Sequence, residues 1–226
     1  MKKLLTVTCI CAGFALAGCS NDDDSTPTSQ DFIIDARNVE NGNSYTAQID
    51  SVKAVVNYEE HYTPDDEFYA TYDVFASTNY VNGGFMMTLP AKVDSKYLSG
   101  FYHPDFDDLT VSDMNAKYIS IQPSEQIFAS KSGKLTGKFF YGNRIDDNNR
   151  IYVIYVYVDR DVVINGSRTY EVGYFDQTDI FDNVILKKGW NEIYESSTHD
   201  YDTKVSESVS TNTKPNGLKW SFRLYE

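Results

Sequence analysis

The chain has 226 residues, a formal charge of −13 and an aromatic content of 15%. So acidic a composition is unsuited to nucleic acid, whose binding rests on Lys and Arg neutralising phosphates. It is equally unsuited to lying on an anionic leaflet through a basic face. The length fits one large all-β domain or two small ones, and a domain near ~150 residues already hides roughly two-thirds of its unfolded surface.

Lys2 and Lys3 make a short basic start, followed by an apolar run over 4–17 that is too short to span a bilayer. Small residues then lead into a cysteine, the form of a secretory signal peptide. The stretch Leu16-Ala17-Gly18-Cys19 resembles the lipobox of bacterial lipoproteins. That resemblance implies cleavage before Cys19, acyl chains on its thiol and new amino terminus, and membrane attachment through those chains. The expected organisation is a signal peptide at 1–18, an acidic flexible tether at 19–38 and a single β domain at 39–226.

Cleavage would remove two lysines and no acid, so the remaining 208 residues would carry a charge of −15. Cys9 and Cys11 leave with the signal, and the domain then has neither a free thiol nor a disulfide. Packing alone must hold it, and thiolate zinc sites are excluded. Residues 20–30 are Ser, Thr, Asn, Asp, Pro and Gln, with too little to bury to fold by themselves. Asp22-Asp23-Asp24 directly behind the cysteine resembles the export signal of Bacteroidetes-type surface lipoproteins, which implies an outer-membrane protein facing outward.

From Tyr45 the chain alternates apolar and polar residues with period two, and the pattern predicts strand over 45–50 and again over 52–58. Another aromatic-rich strand is expected over 68–75. Asn82-Gly83-Gly84 accepts positive φ and, followed by Phe85-Met86-Met87-Thr88-Leu89, signals a hairpin. Residues 90–98 are the best helix candidate, and 101–108 reads as an aromatic and acidic loop. Strands follow over 118–121 and 134–141, with 124–133 a polar stretch where a domain boundary would fall if there were one.

Asp146-Asp147-Asn148-Asn149 forms a polar turn into 150–158, an unbroken β-branched and aromatic run that predicts a central strand covered on both faces. Asn165-Gly166 predicts a type I′ hairpin between 162–164 and 169–175. Lys187-Lys188-Gly189 predicts another between 183–186 and 190–194, and Pro215-Asn216-Gly217 turns the chain into a last strand over 218–225. Roughly ten short strands point to an antiparallel β-sandwich or, alternatively, a lipocalin-like β-barrel. The segments 186–194 and 214–220 also resemble the closing strands of uncharacterised Bacteroidetes-type lipoproteins, a likeness that implies compartment and fold but no activity.

No Gly-x-Ser-x-Gly elbow and no mature thiol is present, so nothing singles out a nucleophile; His61, His103 and His199 sit in polar or turn-like contexts. Asp105, Asp107 and Asp108 crowd one loop, as calcium ligands do, yet do not match the Asp-x-Asp-x-Asp-Gly pattern. Solvated turns explain them, and Asp176, Asp179 and Asp182, more simply. Trp190 and Trp220 are expected in the core. The loop aromatics Tyr62, Phe101, Tyr102 and Phe106 are the candidates for a platform that stacks on sugar rings. The reading is therefore a non-catalytic, lipid-anchored envelope module that needs no cofactor and binds a glycan, peptide or partner protein. A structural subunit of an envelope complex is the alternative, and a hydrolase with paired carboxylates is a third.

Overall fold

A computed structural model describes residues 31–62, 68–101, 108–146, 148–173 and 175–225. In chain order the strands are β1 (Phe32–Ala36), β2 (Ser51–Tyr62), β3 (Phe68–Asn79), β4 (Phe85–Leu89), β5 (Ser99–Gly100), β6 (Leu109–Val111) and β7 (Lys117–Ile121). A one-turn helix, α1 (Pro123–Gln126), precedes β8 (Ile127–Lys131) and β9 (Lys134–Arg144). Then come β10 (Asn149–Val158), β11 (Val162–Val172), β12 (Phe175–Leu186), β13 (Gly189–Asp200), β14 (Val205–Thr211) and β15 (Lys219–Leu224). β1 pairs with β4 in a small sheet, and thirteen strands share a large one whose main path runs β3-β2-β8-β9-β10-β13-β14-β12-β11-β6. The path ends at β3 and β6 rather than closing, so the fold is all-β and sandwich-like, not a barrel.

β10 organises the molecule. Its even and odd residues face opposite ways, and both faces are covered over 153–158. Val153 and Tyr155 join a core with Phe139, Ile121, Trp220 and the β1–β4 sheet, while Val156 and Val158 join a second core with Val162, Leu186 and Phe101. In the first core Phe85 meets Phe139 and Trp220 edge-on, at 5.0 and 5.4 Å. One edge of β10 carries β13 along its whole length. Its other edge splits, taking β9 at residues 150–152 and β7 at 155–158, with α1 following β7 directly.

Several expectations are corrected. The folded part reaches into the expected tether: β1 pairs with β4, and Ile34 and Ala36 are buried. Residues 45–50 are not a strand. Gly42–Tyr45 is a 3-10 turn, held where the Tyr80 hydroxyl donates to the Gly42 carbonyl at 2.9 Å. The helix expected over 90–98 shrinks to the 3-10 turn Ser95–Tyr97, capped by the Asp94 carboxylate, which accepts from the Lys96 amide at 3.0 Å. A segment this short cannot offset helix nucleation by its own propensity.

The turn at 82–84 forms, but β4 goes on to pair with β1 rather than β3. Residues 124–133 hold α1 and β8, with β8 hydrogen-bonded between β2 and β9. Asn165-Gly166 is no turn: β11 runs through it with a bulge between Ile164 and Gly166, and pairing with β12 continues to Val172↔Phe175. Gly166, at φ 122°, lies outside the type I′ range.

The turn at 187–189 forms, yet its arms do not pair with each other. β14 lies between them, antiparallel to β13 and parallel to β12. The gap near the turn is filled by side-chain amides. Asn212 bonds the Ile185 N–H and carbonyl at 2.6 and 3.0 Å, and Asn191 bonds those of Lys187 at 2.8 and 2.7 Å. Backbone groups left open by the missing ladder are thereby satisfied.

Candidate functional site

Between β11 and β9 the ladder register aligns side chains into ranks across one face. One rank reads Gly166, Phe181, Ser210, Glu195, Tyr152, Gly142. The next reads Arg168, Asp179, Ser208, Ser197, Arg150, Arg144, and a third Tyr170, Gln177, Ser206, His199. Strands stand about 4.8 Å apart and successive ranks roughly 6.8 Å apart. The same face is apolar further along, where Ile154 and Ile193 belong to the second core. It turns polar at Tyr152 and Glu195.

β14 contributes only hydroxyls to this face. Ser206, Ser208 and Ser210 are 2, 8 and 4% exposed because taller neighbours rise on both sides, β12 supplying one wall and β13 the other. The result is a trough in the register only: its serine floor is largely covered by the side chains of the two walls, with Gln177 bonded to Ser208 and His199 to Ser206.

The β12 wall is locked by charge. Arg168 donates from Nε and Nη2 to Asp179 Oδ2 at 3.0 and 2.8 Å, and the Tyr170 hydroxyl donates to the same oxygen at 2.9 Å. Gln177 Nε2 donates to Asp179 Oδ1 at 2.8 Å and reaches Ser208 Oγ at 3.2 Å. Charge-assisted bonds of this kind are the stronger sort, and the Arg168 and Asp179 side chains are only 20 and 16% exposed. Burial, followed by the bond to Asp179, raises the Tyr170 hydroxyl above its ordinary value.

The β13 wall holds Glu195. Burial first, and then the charges of Asp179 and Glu125, push its carboxyl up to about 7. His199 sits between two hydroxyls, Ser197 Oγ at 3.2 Å from Nε2 and Ser206 Oγ at 2.8 Å from Nδ1. This is a structural clasp rather than a catalytic dyad, because both serines are buried and neither ring nitrogen meets a carboxylate in these bonds.

Beyond β10 the face becomes basic. A cavity of about 450 Å³ between β9, β10 and β15 is lined among others by Phe140, Arg144, Arg150, Tyr152, Ser221 and Arg223. Arg150 Nη1 donates to the Tyr152 hydroxyl at 3.4 Å, and the Arg223 guanidinium lies over the Phe140 ring at 5.4 Å. Gly142 lets this edge close up, since a Cβ there would overlap the Ile151 carbonyl.

The residues singled out from sequence lie elsewhere. Phe101 is buried and stacks on Tyr118 with centroids 4.5 Å apart, so it belongs to the second core and is no platform. The Tyr62 backbone pairs opposite Phe68 at the end of the β2–β3 ladder. Asp108 is exposed. Cys19, Tyr102, His103, Asp105, Phe106 and Asp107 lie outside the described residues.

Among the described residues, no three His, Cys, Asp or Glu side chains converge as a metal site. Asp146 is occupied by its own turn, accepting from the Asn148 and Asn149 amides at 2.8 Å each. His61 bonds Thr71 Oγ1 at 3.0 Å. Trp220 is buried and stacks on Tyr141 at 4.6 Å, and Trp190, partly buried, donates to the Pro90 carbonyl. Sequence reasoning missed the trough because no strand was expected over 205–211, although Ser206-x-Ser208-x-Ser210 carries the period-two signal.

The class defined by fold and face is an all-β, sandwich-like protein with a polar trough leading to an arginine-lined cavity. No family model, no curated protein and no solved structure matches the chain.

Proposed function

We propose that this chain is a lipid-anchored, non-catalytic binding module of a bacterial cell envelope. Acyl chains on Cys19 hold it to the outer membrane, facing outward, and a glycan lies along the trough. The observation that carries the reading is the polar face built over the row Ser206, Ser208, Ser210, where Gln177 and Asp179 stand on one side and Glu195 and His199 on the other. Closely spaced hydroxyl, amide and carboxylate groups match the donors and acceptors of sugar hydroxyls, and Tyr152 and Tyr170 on the same face offer rings for stacking. Tyr170 is 40% exposed.

A hydrolase reading is favoured by one observation, the unequal environments of Glu195 and Asp179, since such pairs mark acid–base sites. Asp179 argues against it: both of its oxygens already accept bonds from Arg168, Tyr170 and Gln177, leaving a poor nucleophile or base. Glycan-array binding of the protein and of Tyr170→Ala, which removes the exposed ring of this face, tests the proposal. Binding lost in the variant with an unchanged melting temperature is expected. Turnover of a glycoside substrate, or no glycan bound, would overturn it. For location, protease shaving of intact cells is expected to release the domain.

A further inference from the structure

We propose that the polar face ends in an aromatic platform, built on Phe175 and Tyr201, which stacks on one pyranose ring of a neutral glycan. The inference rests on the reading of that face as glycan-binding and adds where a ring is held and of what charge. Continuing the register past Tyr170 and Gln177 brings up Val172 and Phe175, which are direct cross-strand partners. There the face changes from polar to apolar. Tyr201 comes in from the turn after β13, its ring 5.6 Å from Phe175 at 82° and 6.3 Å from His199 at 38°. His199 in turn meets Phe175 at 6.2 Å and 73°. The three rings pack on one another, yet Tyr201 is 58% and Val172 52% exposed.

An aromatic that only sealed a core edge would be covered, and among the described residues neither Phe175 nor Tyr201 joins the two cores. Hydrogen bonds instead hold the exposed ring in place. The Asp200 carboxylate accepts from the Asp202 and Thr203 amides at 2.9 and 3.1 Å, which sets the turn. The Asp176 amide donates to the Lys204 carbonyl at 2.9 Å and ties that turn to β12. Ser197 and Ser206 fix His199 through both ring nitrogens. A ring so placed loses little freedom when a ligand stacks on it. Gln177 stands one step inward, and Glu171, Asp176, Asp200 and Asp202, chain neighbours of Val172, Phe175 and Tyr201, are exposed. A small apolar patch rimmed by such groups suits a sugar ring, which offers a C–H face and hydroxyls together. Those acids, in a chain of net charge −13, disfavour an anionic sugar.

The test is amide-resolved NMR titration of the protein with methyl glucoside, methyl galactoside and methyl mannoside, with glucuronate, and with mannitol, a polyol that has no ring face. At least one of the glycosides is expected to shift the amides of 175–177 and 199–205, while mannitol and glucuronate leave them unmoved. Tyr201→Ala is expected to weaken that binding about fivefold or more at an unchanged melting temperature, and Tyr201→Phe, which keeps the ring, to retain it. No shift with any glycoside, shifts that mannitol reproduces, glucuronate bound as tightly, or undiminished binding by Tyr201→Ala overturns the platform. So do shifts caused by a lysine-rich peptide and by none of the sugars. A hexasaccharide that binds no tighter than its single ring supports the platform and refutes the wider reading of the polar face. Hexasaccharide binding that Tyr201→Ala leaves intact does the reverse.

Discussion

Glu195→Gln is the sharpest probe of the polar face. An ordinary glutamate at 4.5 is held near 7 here, chiefly by burial and then by Asp179 and Glu125. The folded state thus grips this proton more tightly than the unfolded chain does. Its contribution to stability is full below the unfolded value and is lost as pH rises through the folded one. At about 1.4 kcal/mol per tenfold in proton affinity, the swing between pH 4.5 and pH 8 is of the order of 3 kcal/mol. Gln carries no proton to lose, so the variant should become more stable than the wild type at pH 8 by about 2–3 kcal/mol and lack the decline. Urea unfolding of both proteins at intervals from pH 5 to 8.5 measures the difference, and subtraction cancels every other titrating group. Parallel profiles for the two proteins would refute the burial of Glu195 beside Asp179.

Four further outcomes follow, three from the packing and pairing of the fold and one from the proposed acylation of Cys19. Phe139→Ala, at the centre of the first core against Phe85 and Phe222, should lower unfolding free energy by about 3–5 kcal/mol, as chemical denaturation would reveal. Gly137→Ala would drive a Cβ into the Arg223 carbonyl and the Phe222 ring; faster hydrogen exchange along β15 is expected, with β11 unaffected. Asp179→Asn should loosen Arg168 and Tyr170 and cost roughly 1–3 kcal/mol by thermal melting, since one charge of a half-buried pair is left uncompensated. Cys19→Ala should move the protein from the detergent phase to the aqueous phase on partition.

β10 was legible because 150–158 offers no polar alternation, and a strand of that kind must be covered on both sides. The turns at Asn82-Gly83, Gly189 and Gly217 were legible because positive φ leaves few residue choices, and each adopts it. Asn165-Gly166 misled for a tertiary reason. Pairing with β12 and β6 on the two edges of β11 outweighs a local turn preference, and the glycine serves a bulge instead. The trough was hidden because serines at alternate positions look like any solvated strand edge. Only β12 and β13 on either side turn them into a floor. Phe101 failed as a platform because a loop aromatic next to a core edge gains more by burial than by exposure.

The wedge made by β14 has a consequence for how the chain must assemble. β12 and β13 are joined by a tight turn, and nothing local prevents them from zipping together along their whole length. Such a premature hairpin would bury the edges on which the seven residues of Val205–Thr211 must later seat themselves. Productive folding therefore requires two neighbours to stay apart until a latecomer arrives. A chain stalled at that step would present two bare edges to other molecules.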